Sequence, residues 1–286
     1  MLAALVAAAA PLVQAQPRRL LVITTSPDLK SLVEAVGGDR VEVESLGQPE
    51  HDPHSIEVKP AQLVRVKQAA MLVKVGLDHE PWLARLPAVS ASVVDASTAV
   101  PLLQTETPRL RSERKAHTHA YGNTHYWLDP KNAWPITASI LAALAGLSPA
   151  DRATFEARRG AFLSRLEERL AAWETTLAPW RGARIVVVHD SWSYFAERFG
   201  LKIVAAAEPN PGVPPSPREL AALLDRLRGS DVRLLITDPH SDPSLVRQIA
   251  DKAGIKPVTL LPSGRDYVGM FEENVQRLSQ ALKSGQ

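Results

Sequence analysis

Three histidines in similar local surroundings are the residues of this sequence that are best suited to chemistry. His54 follows Asp52-Pro53, His125 opens the motif HYWLDP, and His189 ends an apolar run. Because they are far apart in the sequence, no single loop or helix can present all three. Three neutral imidazoles form a good partial shell for Zn²⁺, which binds nitrogen at about 2.0–2.1 Å in a tetrahedral arrangement. The residue types therefore favour a metal site between separate parts of the chain.

The composition is that of a globular protein and argues against several classes of function. Of the 286 residues, 45% are hydrophobic and 22% are charged, so the chain has the length and the apolar content for two domains. The net charge is +2, with 33 basic and 31 acidic residues, so we expect no binding to nucleic acid. Cysteine is absent. We therefore expect His, Asp or Glu to hold any metal, and we expect no lipid anchor on a cysteine.

The first fifteen residues have the pattern of a signal peptide. They are apolar and rich in alanine, and they end in Val13-Gln14-Ala15, which resembles a cleavage site. The apolar run is too short to span a membrane. A polar segment follows at once, which disfavours the alternative of a buried N-terminal helix. We predict that residues 1–15 are a signal peptide and that the mature chain is a soluble periplasmic protein.

Apolar runs alternate with helical patterns, which is typical of βαβ units with parallel sheets. In the first half, strands are predicted at residues 20–24, 41–45, 71–76 and 93–95, with helices that start at Ser26-Pro27 and near Pro60. In the second half, strands are predicted at 184–189, 203–207, 233–237 and 257–261, and helices at 190–199, 217–227, 244–253 and 266–282. The pattern predicts an α/β fold of two lobes, residues 18–147 and 179–286. Residues 104–123 lack periodicity and are predicted to form an exposed loop.

One long helix is predicted between the two lobes. Ser148-Pro149, followed by Asp151, is a typical helix start with Ser148 as the N-cap. An apolar stripe then continues to Pro179 through Phe155, Phe162, Leu166, Leu170, Trp173 and Leu177. Such a helix would be about 40 Å long, enough to cross a whole domain. We predict that residues 148–178 form a rigid linking helix.

The predicted strands place the three histidines near sheet edges. In parallel α/β sheets, ligands bind beyond the carboxyl ends of the strands. His189 ends a predicted strand of the second lobe, whereas His54 and His125 lie in loops of the first lobe. A site that contains all three therefore requires a cleft between the lobes.

Several short motifs run in a fixed order over nearly the whole mature chain. They are GGDRV at residues 37–41, DPH at 52–54 with Pro60 after it, VGL at 75–77, EPWL at 80–83, HYWLDP at 125–130, HDS at 189–191 with Tyr194-Phe195, and PPSP at 214–217. Each motif alone is weak, but their order makes the combined match strong. In this order they resemble the metal-binding receptors of ABC importers for zinc and manganese, called cluster A-I.

The resemblance implies two α/β lobes that are joined by one rigid helix, with a divalent metal bound in the cleft between them. His54, His125 and His189 fall on three of the family's ligand positions. A histidine at the third position is more similar to the zinc-binding members, and imidazole suits Zn²⁺ whereas Mn²⁺ favours oxygen donors. The resemblance thus implies a monomeric periplasmic protein that captures Zn²⁺, with Mn²⁺ as the second candidate. It would deliver the metal to the membrane permease of an ABC importer.

The sequence departs from the family pattern at the fourth ligand. Many members supply an aspartate shortly after the last strand, but residues 258–264 here read VTLLPSG and contain no carboxylate. Asp238, which follows a predicted strand at the same rim, is the preferred substitute. A carboxylate would also lower the charge of a buried three-imidazole zinc centre from +2 to +1. The weaker candidates are water, Asp266, Glu208, His119 and His240.

The other histidines and the tryptophans are assigned structural roles. His79 is expected to pack or to cap rather than to bind metal, and His51 is expected to be solvated. His117 and His119, in the predicted loop, are either surface residues or a loose metal-capturing pair. The tryptophans are expected to pack within or between the lobes: Trp82, Trp127, Trp134, Trp173, Trp180 and Trp192.

Two other functions stay open at this stage, although we expect the protein not to be an enzyme. Three histidines and a water also form the shell of a catalytic zinc, as in a zinc-dependent hydrolase. No G-x-S-x-G, H-E-x-x-H or phosphate-loop motif occurs in the chain to support that alternative. A metal-binding surface adhesin on the same scaffold is the other alternative.

Overall fold

The computed structural model describes residues 19–86, 91–103, 123–208 and 212–284. The predicted signal peptide lies outside the described residues, as do His117 and His119 of the predicted loop. No helix in these ranges combines the length and the apolar character that are needed to cross a bilayer.

The first lobe is built on a four-stranded parallel sheet. Its strands lie in the order β2-β1-β3-β4, with β1 at Leu20–Thr24, β2 at Val41–Ser45, β3 at Met71–Lys74 and β4 at Ser92–Asp95. Helices α1 (Pro27–Gly37), α2 (Pro60–Gln68) and α3 (Ala133–Leu147) belong to this lobe. Most residues of β1 and β3 are buried, as expected for central parallel strands that helices cover. All four strands lie close to their predicted positions.

The linking helix α4 spans Arg152–Leu177, and short 3₁₀ turns at Pro149–Asp151 and Ala178–Trp180 extend it at both ends. The six residues of its predicted apolar stripe are all buried. They pack α4 against α1 and α3, and its C-terminal half also contacts the last helix of the second lobe. One helix therefore contributes to the core of both lobes.

The two predicted helix starts have different outcomes. The Ser26 hydroxyl accepts a hydrogen bond from the Leu29 N–H at 3.2 Å, so the N-cap of α1 is confirmed. Ser148 takes the predicted N-cap position of the 3₁₀ turn that opens the linking helix, but its side chain makes no capping hydrogen bond. Its hydroxyl donates instead to the Asp151 carboxylate at 2.7 Å, and a 3₁₀ turn precedes the α-helix.

The second lobe repeats the strand order of the first. Its parallel sheet has the order β6-β5-β7-β8, with β5 at Arg184–Val187, β6 at Lys202–Ala206, β7 at Leu234–Thr237 and β8 at Lys256–Thr259. Its helices are α5 (Ser193–Phe199), α6 (Pro217–Leu227), α7 (Pro243–Ala253) and α8 (Tyr267–Lys283). The predicted fold class, two α/β lobes with parallel sheets and one long connecting helix, is confirmed. The residue numbers predicted as lobe boundaries stay a prediction.

A continuous hydrophobic core joins the two lobes. It contains Val22 and Val73 of the first sheet together with Ile185 and Ile236 of the second. Polar contacts also cross between the lobes. Arg198 of the second lobe donates hydrogen bonds to both oxygens of the Asp129 carboxylate of the first lobe, at 2.7 and 2.8 Å. A large apolar interface of this kind restricts the movement of one lobe against the other.

Candidate metal centre

His54 lies in a 3₁₀ turn, Pro53–Ser55, in the connection between β2 and α2. The Asp52 carboxylate caps this turn by accepting hydrogen bonds from the His54 N–H at 2.9 Å and the Ser55 hydroxyl at 3.0 Å. His54 Nδ1 lies 3.0 Å from the carbonyl oxygen of His79. Because a carbonyl oxygen can only accept, Nδ1 carries the proton in this contact. Nε2 is therefore the nitrogen of His54 that can bind a metal.

His125 is buried and precedes the 3₁₀ turn Tyr126–Leu128. Its ring Nδ1 lies 3.1 Å from Asn123 Oδ1, which also accepts a hydrogen bond from the His125 N–H at 2.9 Å. Because an amide oxygen can only accept, Nδ1 of His125 carries the proton in this contact. Nε2 is therefore the nitrogen of His125 that can bind a metal. The amide nitrogen of Asn123 donates to the carbonyl of Asp190 in the second lobe at 2.7 Å. The same asparagine thus orients His125 and contacts the opposite wall of the cleft.

His189 lies just beyond β5, at the carboxyl edge of the second sheet. Its Nδ1 is 3.1 Å from Glu208 Oε2, the arrangement in which an outer carboxylate orients a metal-binding imidazole. Burial lowers the pKa of His189, but the hydrogen bond to Glu208 and the charges of Asp238, Glu208 and Asp190 outweigh it, so the pKa is raised. Protons therefore compete for His189 more strongly than for an ordinary histidine.

His79 lies in the loop after β3, at the carboxyl edge of the first sheet, and only 1% of it is exposed. Its Nδ1 lies 2.9 Å from the Thr124 hydroxyl. Each of His54, His79 and His125 offers a nitrogen, and these nitrogens lie within 4.8 Å of one another. From the sequence, His79 is expected to pack or to cap rather than to bind metal. The rule that placed His189 at a strand end applies equally to His79 and could have identified it.

The four imidazole rings form one cluster. The ring centre of His54 lies 4.4 Å from that of His79, 5.6 Å from that of His125 and 5.9 Å from that of His189. His125 is 5.2 Å from His79 and 5.3 Å from His189 by the same measure. The structure thus brings together the three histidines that the sequence singles out. That these three bind the metal stays a prediction.

Asp238, the preferred fourth ligand from sequence, is buried beside this cluster but is not one of the three residues whose ligand atoms group together. Its Oδ1 accepts a hydrogen bond from the indole N–H of Trp192 at 2.9 Å, and its Oδ2 lies 3.9 Å from His240 Nε2. Burial raises the pKa of Asp238, although the charges of His189 and His240 oppose the shift. One oxygen of this carboxylate is thus held by Trp192, whereas Oδ2 is buried and has no hydrogen-bond partner among the described residues.

The weaker candidates for the fourth ligand are also placed by the structure, except His119, which lies outside the described residues. Glu208 contacts the ring of His189, as described above. Asp266 caps α8 by accepting a hydrogen bond from the Val268 N–H at 3.1 Å. His240 is partly exposed at the cleft.

A cleft of about 240 Å³ lies between the lobes above the cluster. His51, Asp52 and Trp127 of the first lobe line it, as do Ser191 and Glu208 of the second. His125 and His189 reach its wall from opposite lobes. Imidazoles from both lobes, with carboxylates behind them, can hold a divalent cation between the lobes.

Comparisons with known proteins agree with this architecture. The family model described as "Zinc-uptake complex component A periplasmic" matches residues 22–281. The high-affinity zinc uptake system protein ZnuA of Paracoccus denitrificans (strain Pd 1222) is 27% identical, and the match covers 98% of this chain and 95% of that protein.

Two solved structures are similar over most of this chain. A crystal structure of ZnuA has a TM-score of 0.81 and 27% identity, and the match covers 93% of this chain and 100% of that chain. A crystal structure of a ZnuA deletion mutant with zinc bound also has a TM-score of 0.81, with 26% identity over 92% of this chain and 98% of that chain. Because the family model matches most of the sequence, this chain belongs to the family of the periplasmic zinc-uptake complex component A.

Proposed function

We propose that this chain is the substrate-binding protein of an ABC importer, which captures Zn²⁺ in the cleft and delivers it to a membrane permease. The observation that carries this proposal is the convergence of buried histidines from both lobes at the base of one cleft. Membership in a zinc-uptake family supports the same conclusion. Zinc is the cargo of the protein in this proposal, and the imidazole rings of the histidine cluster hold it.

The donor atoms support zinc over manganese as the cargo. Imidazole nitrogen suits Zn²⁺, whereas Mn²⁺ favours carboxylate and water oxygens. In the described residues, the one group of side chains whose ligand atoms lie close enough for a metal is made of imidazoles alone. We therefore propose that Zn²⁺ binds more tightly than Mn²⁺.

The same family supports our proposals for the place of action and for the partner. The family description and the name of the Paracoccus relative support export to the periplasm and work within an uptake system. We propose that the protein acts there as a monomer, and that the permease of the importer is the partner that receives the metal.

Metal analysis tests this function directly. Protein purified without chelator is expected to contain one Zn²⁺ per chain, and Mn²⁺ in excess is expected not to displace it. A strain that lacks the protein should accumulate less zinc from zinc-poor medium, and the wild-type chain should restore uptake. Metal-free protein that binds neither ion would contradict the proposal.

A catalytic role is separated from transport by a second measurement. A zinc hydrolase needs a coordination position that is open to water and a general base within reach. The zinc-loaded protein is expected to leave simple esters and CO₂ unchanged above the background rate. Turnover that depends on the bound zinc would make the protein an enzyme.

A further inference from the structure

We propose that His79 is the fourth zinc ligand, so that four imidazoles and no carboxylate surround the metal. This inference rests on the proposed function and deepens it, because it names the group that replaces the aspartate missing after the last strand. The sequence favours Asp238 as that replacement, with water, Asp266, Glu208, His119 and His240 as weaker candidates, whereas the structure points to His79.

The position of His79 is that of a ligand within the cluster. Its ring centre lies 4.4 Å from that of His54 and 5.2 Å from that of His125. The ligand nitrogens of these three residues lie within 4.8 Å of one another, whereas tetrahedral zinc needs about 3.3 Å between nitrogens. The nitrogens would therefore have to move closer by at most about 1.5 Å when zinc binds. Because Nδ1 of His79 contacts the Thr124 hydroxyl, Nε2 is the nitrogen that we propose as the zinc ligand.

The backbone before His79 is held in a conformation that non-glycine residues rarely adopt. Gly76, Leu77 and Asp78 have φ values of 82°, 56° and 56°. The left-handed region costs an ordinary residue about 1–2 kcal/mol, and such strain clusters at binding sites. Two successive non-glycine residues in this region are therefore evidence that the loop serves to place a side chain. The next residue is His79.

A buried carboxylate maintains this strained loop. Glu80 accepts hydrogen bonds from the backbone N–H groups of Val75 at 2.6 Å and Gly76 at 3.0 Å. It also accepts one from the Thr25 hydroxyl at 2.5 Å. These contacts tie the loop that carries His79 to Thr25, the residue that follows β1.

The charge of an all-imidazole centre is balanced without a carboxylate on the metal. Four neutral imidazoles leave the charge of Zn²⁺ at +2, which is costly to bury alone. Glu208 contacts the far nitrogen of His189, and Asp238 lies buried beside the same ring. Two carboxyl groups thus lie behind His189, and their negative charge offsets that of the metal when they are ionised. This arrangement explains how the chain dispenses with the missing aspartate.

Four nitrogen donors also define the class of metal. Such a set favours the later divalent ions, with Zn²⁺ among them, and disfavours Mn²⁺, which prefers oxygen ligands. Removing one imidazole and admitting water should weaken that discrimination. We therefore expect His79 to contribute to both the affinity and the selectivity of the site.

Two measurements on the full-length mature chain test the assignment. X-ray absorption of the zinc-loaded wild type is expected to show four imidazole nitrogens around the metal. In chelator competition, His79→Ala is expected to bind Zn²⁺ at least about 100-fold more weakly, the upper end of the effect of losing an outer-shell partner. The matched control is His51→Ala, because His51 is an exposed histidine that lines the same cleft. It is expected to bind as the wild type does.

The outcomes separate this inference from the function on which it rests. Zinc binding by the wild type with three imidazoles and an oxygen ligand would overturn the four-imidazole centre and leave zinc capture intact. An affinity of His79→Ala within about threefold of the wild type would do the same. Wild-type protein that binds no zinc would overturn both. The absorption measurement needs no variant, so it tests the number of imidazoles on the metal even if His79→Ala folds poorly.

Discussion

His189 differs from the other imidazoles of the cluster because carboxylates surround it. Glu208 holds its Nδ1, and the charges of Asp238 and Asp190 act on the same ring. Together they raise the pKa of His189 against the effect of burial. In the metal-free protein, His189 therefore keeps its proton to a higher pH than an ordinary histidine, and zinc must displace that proton.

This competition predicts how zinc affinity depends on pH. Only neutral imidazole binds metal, so affinity should fall as the pH falls, and the decline should begin above the ordinary histidine pKa of about 6.5. Glu208→Gln removes a charge that raises the pKa of His189, so its decline should begin at lower pH. Affinity measured by chelator competition between pH 5 and pH 8 checks both points. A flat profile would indicate that oxygen ligands dominate the site.

The predicted ligands are tested by the effect of zinc on stability. A ligand at about 1,000 times its dissociation constant adds about 4 kcal/mol to the free energy of unfolding. Replacing His54, His125 or His189 by alanine should remove most of this increase, because each variant lacks one of the proposed ligands. Thermal melts with and without Zn²⁺ measure the difference. An unchanged zinc-induced increase in all three variants would show that the metal binds elsewhere.

Asp238 could act either as a direct zinc ligand or as a charge behind His189, and a substitution distinguishes these two roles. With its Oδ1 held by Trp192, we expect it to act through His189 rather than on the metal. Asp238→Asn should then weaken zinc binding by about 10–100-fold, less than the loss in His79→Ala. Asp266→Ala is the control, because Asp266 caps α8. A larger loss in Asp238→Asn than in His79→Ala would make the carboxylate the direct ligand, as the sequence favours.

At the scale of the elements, the strands were predictable because each is a short apolar run in a regular βα alternation. The residues at which the strands and helices begin and end were less predictable. The strand predicted at residues 184–189 stops at Val187, and the helix predicted from residue 190 begins at Ser193. Between them lies a turn in which the Ser193 hydroxyl donates to the Asp190 carboxylate at 3.0 Å. Such a turn depends on local side-chain contacts that apolar periodicity does not register.

The candidate site was predictable where a ligand sits in a recognisable motif and not where distant residues define it. His54, His125 and His189 each carry a local signature, and the structure brings them together. His79 owes its place to contacts with Thr124 and, through Glu80, to contact with Thr25. The sequence shows that His79 follows the end of β3, but these partners are remote in sequence, so no local pattern shows that they hold it beside His54 and His125.

The loop that carries His79 gives a prediction at the same scale. Glu80→Ala removes the acceptor for two buried N–H groups and one hydroxyl, and each such group costs about 1–3 kcal/mol when unsatisfied. The variant should lose at least about 2 kcal/mol of unfolding free energy. It should also bind zinc more weakly, because the strained loop relaxes. Denaturant unfolding and chelator competition measure the two effects. Glu57→Ala, at an exposed position, should change neither.

At the scale of the whole molecule, the lobes are joined by more than the linking helix. The hydrophobic core is continuous from one sheet to the other, and α4 packs on helices of both lobes. Trp127 of the first lobe donates its indole N–H to the Pro262 carbonyl at 2.9 Å and accepts at its own carbonyl from the Tyr267 hydroxyl at 2.7 Å. We therefore expect zinc binding to rearrange side chains and loops at the cleft rather than to swing the lobes.

Asp28 is the ionisable group at the centre of this junction. It is fully buried on α1 and accepts hydrogen bonds from the Ser263 hydroxyl and, at 3.1 Å, from the Gly264 N–H of the second lobe. Burial raises its pKa to about 7, although both hydrogen bonds act to lower it. The folded protein therefore holds a proton on Asp28 at pH values where the unfolded chain has released it.

That proton makes the junction sensitive to pH. Because the folded pKa lies above the ordinary value of 3.8, the contribution of Asp28 is most favourable at low pH and is lost as the pH rises towards 7. A shift of this size corresponds to at most about 4 kcal/mol. Asn resembles the protonated acid, so Asp28→Asn should be increasingly more stable than the wild type between pH 4 and pH 7. Denaturant unfolding of both metal-free proteins across this range measures the difference in their unfolding free energies. The other titrating groups are the same in both proteins, so their contributions cancel in this difference. Parallel profiles would show that Asp28 ionises in the folded protein as readily as in the unfolded chain.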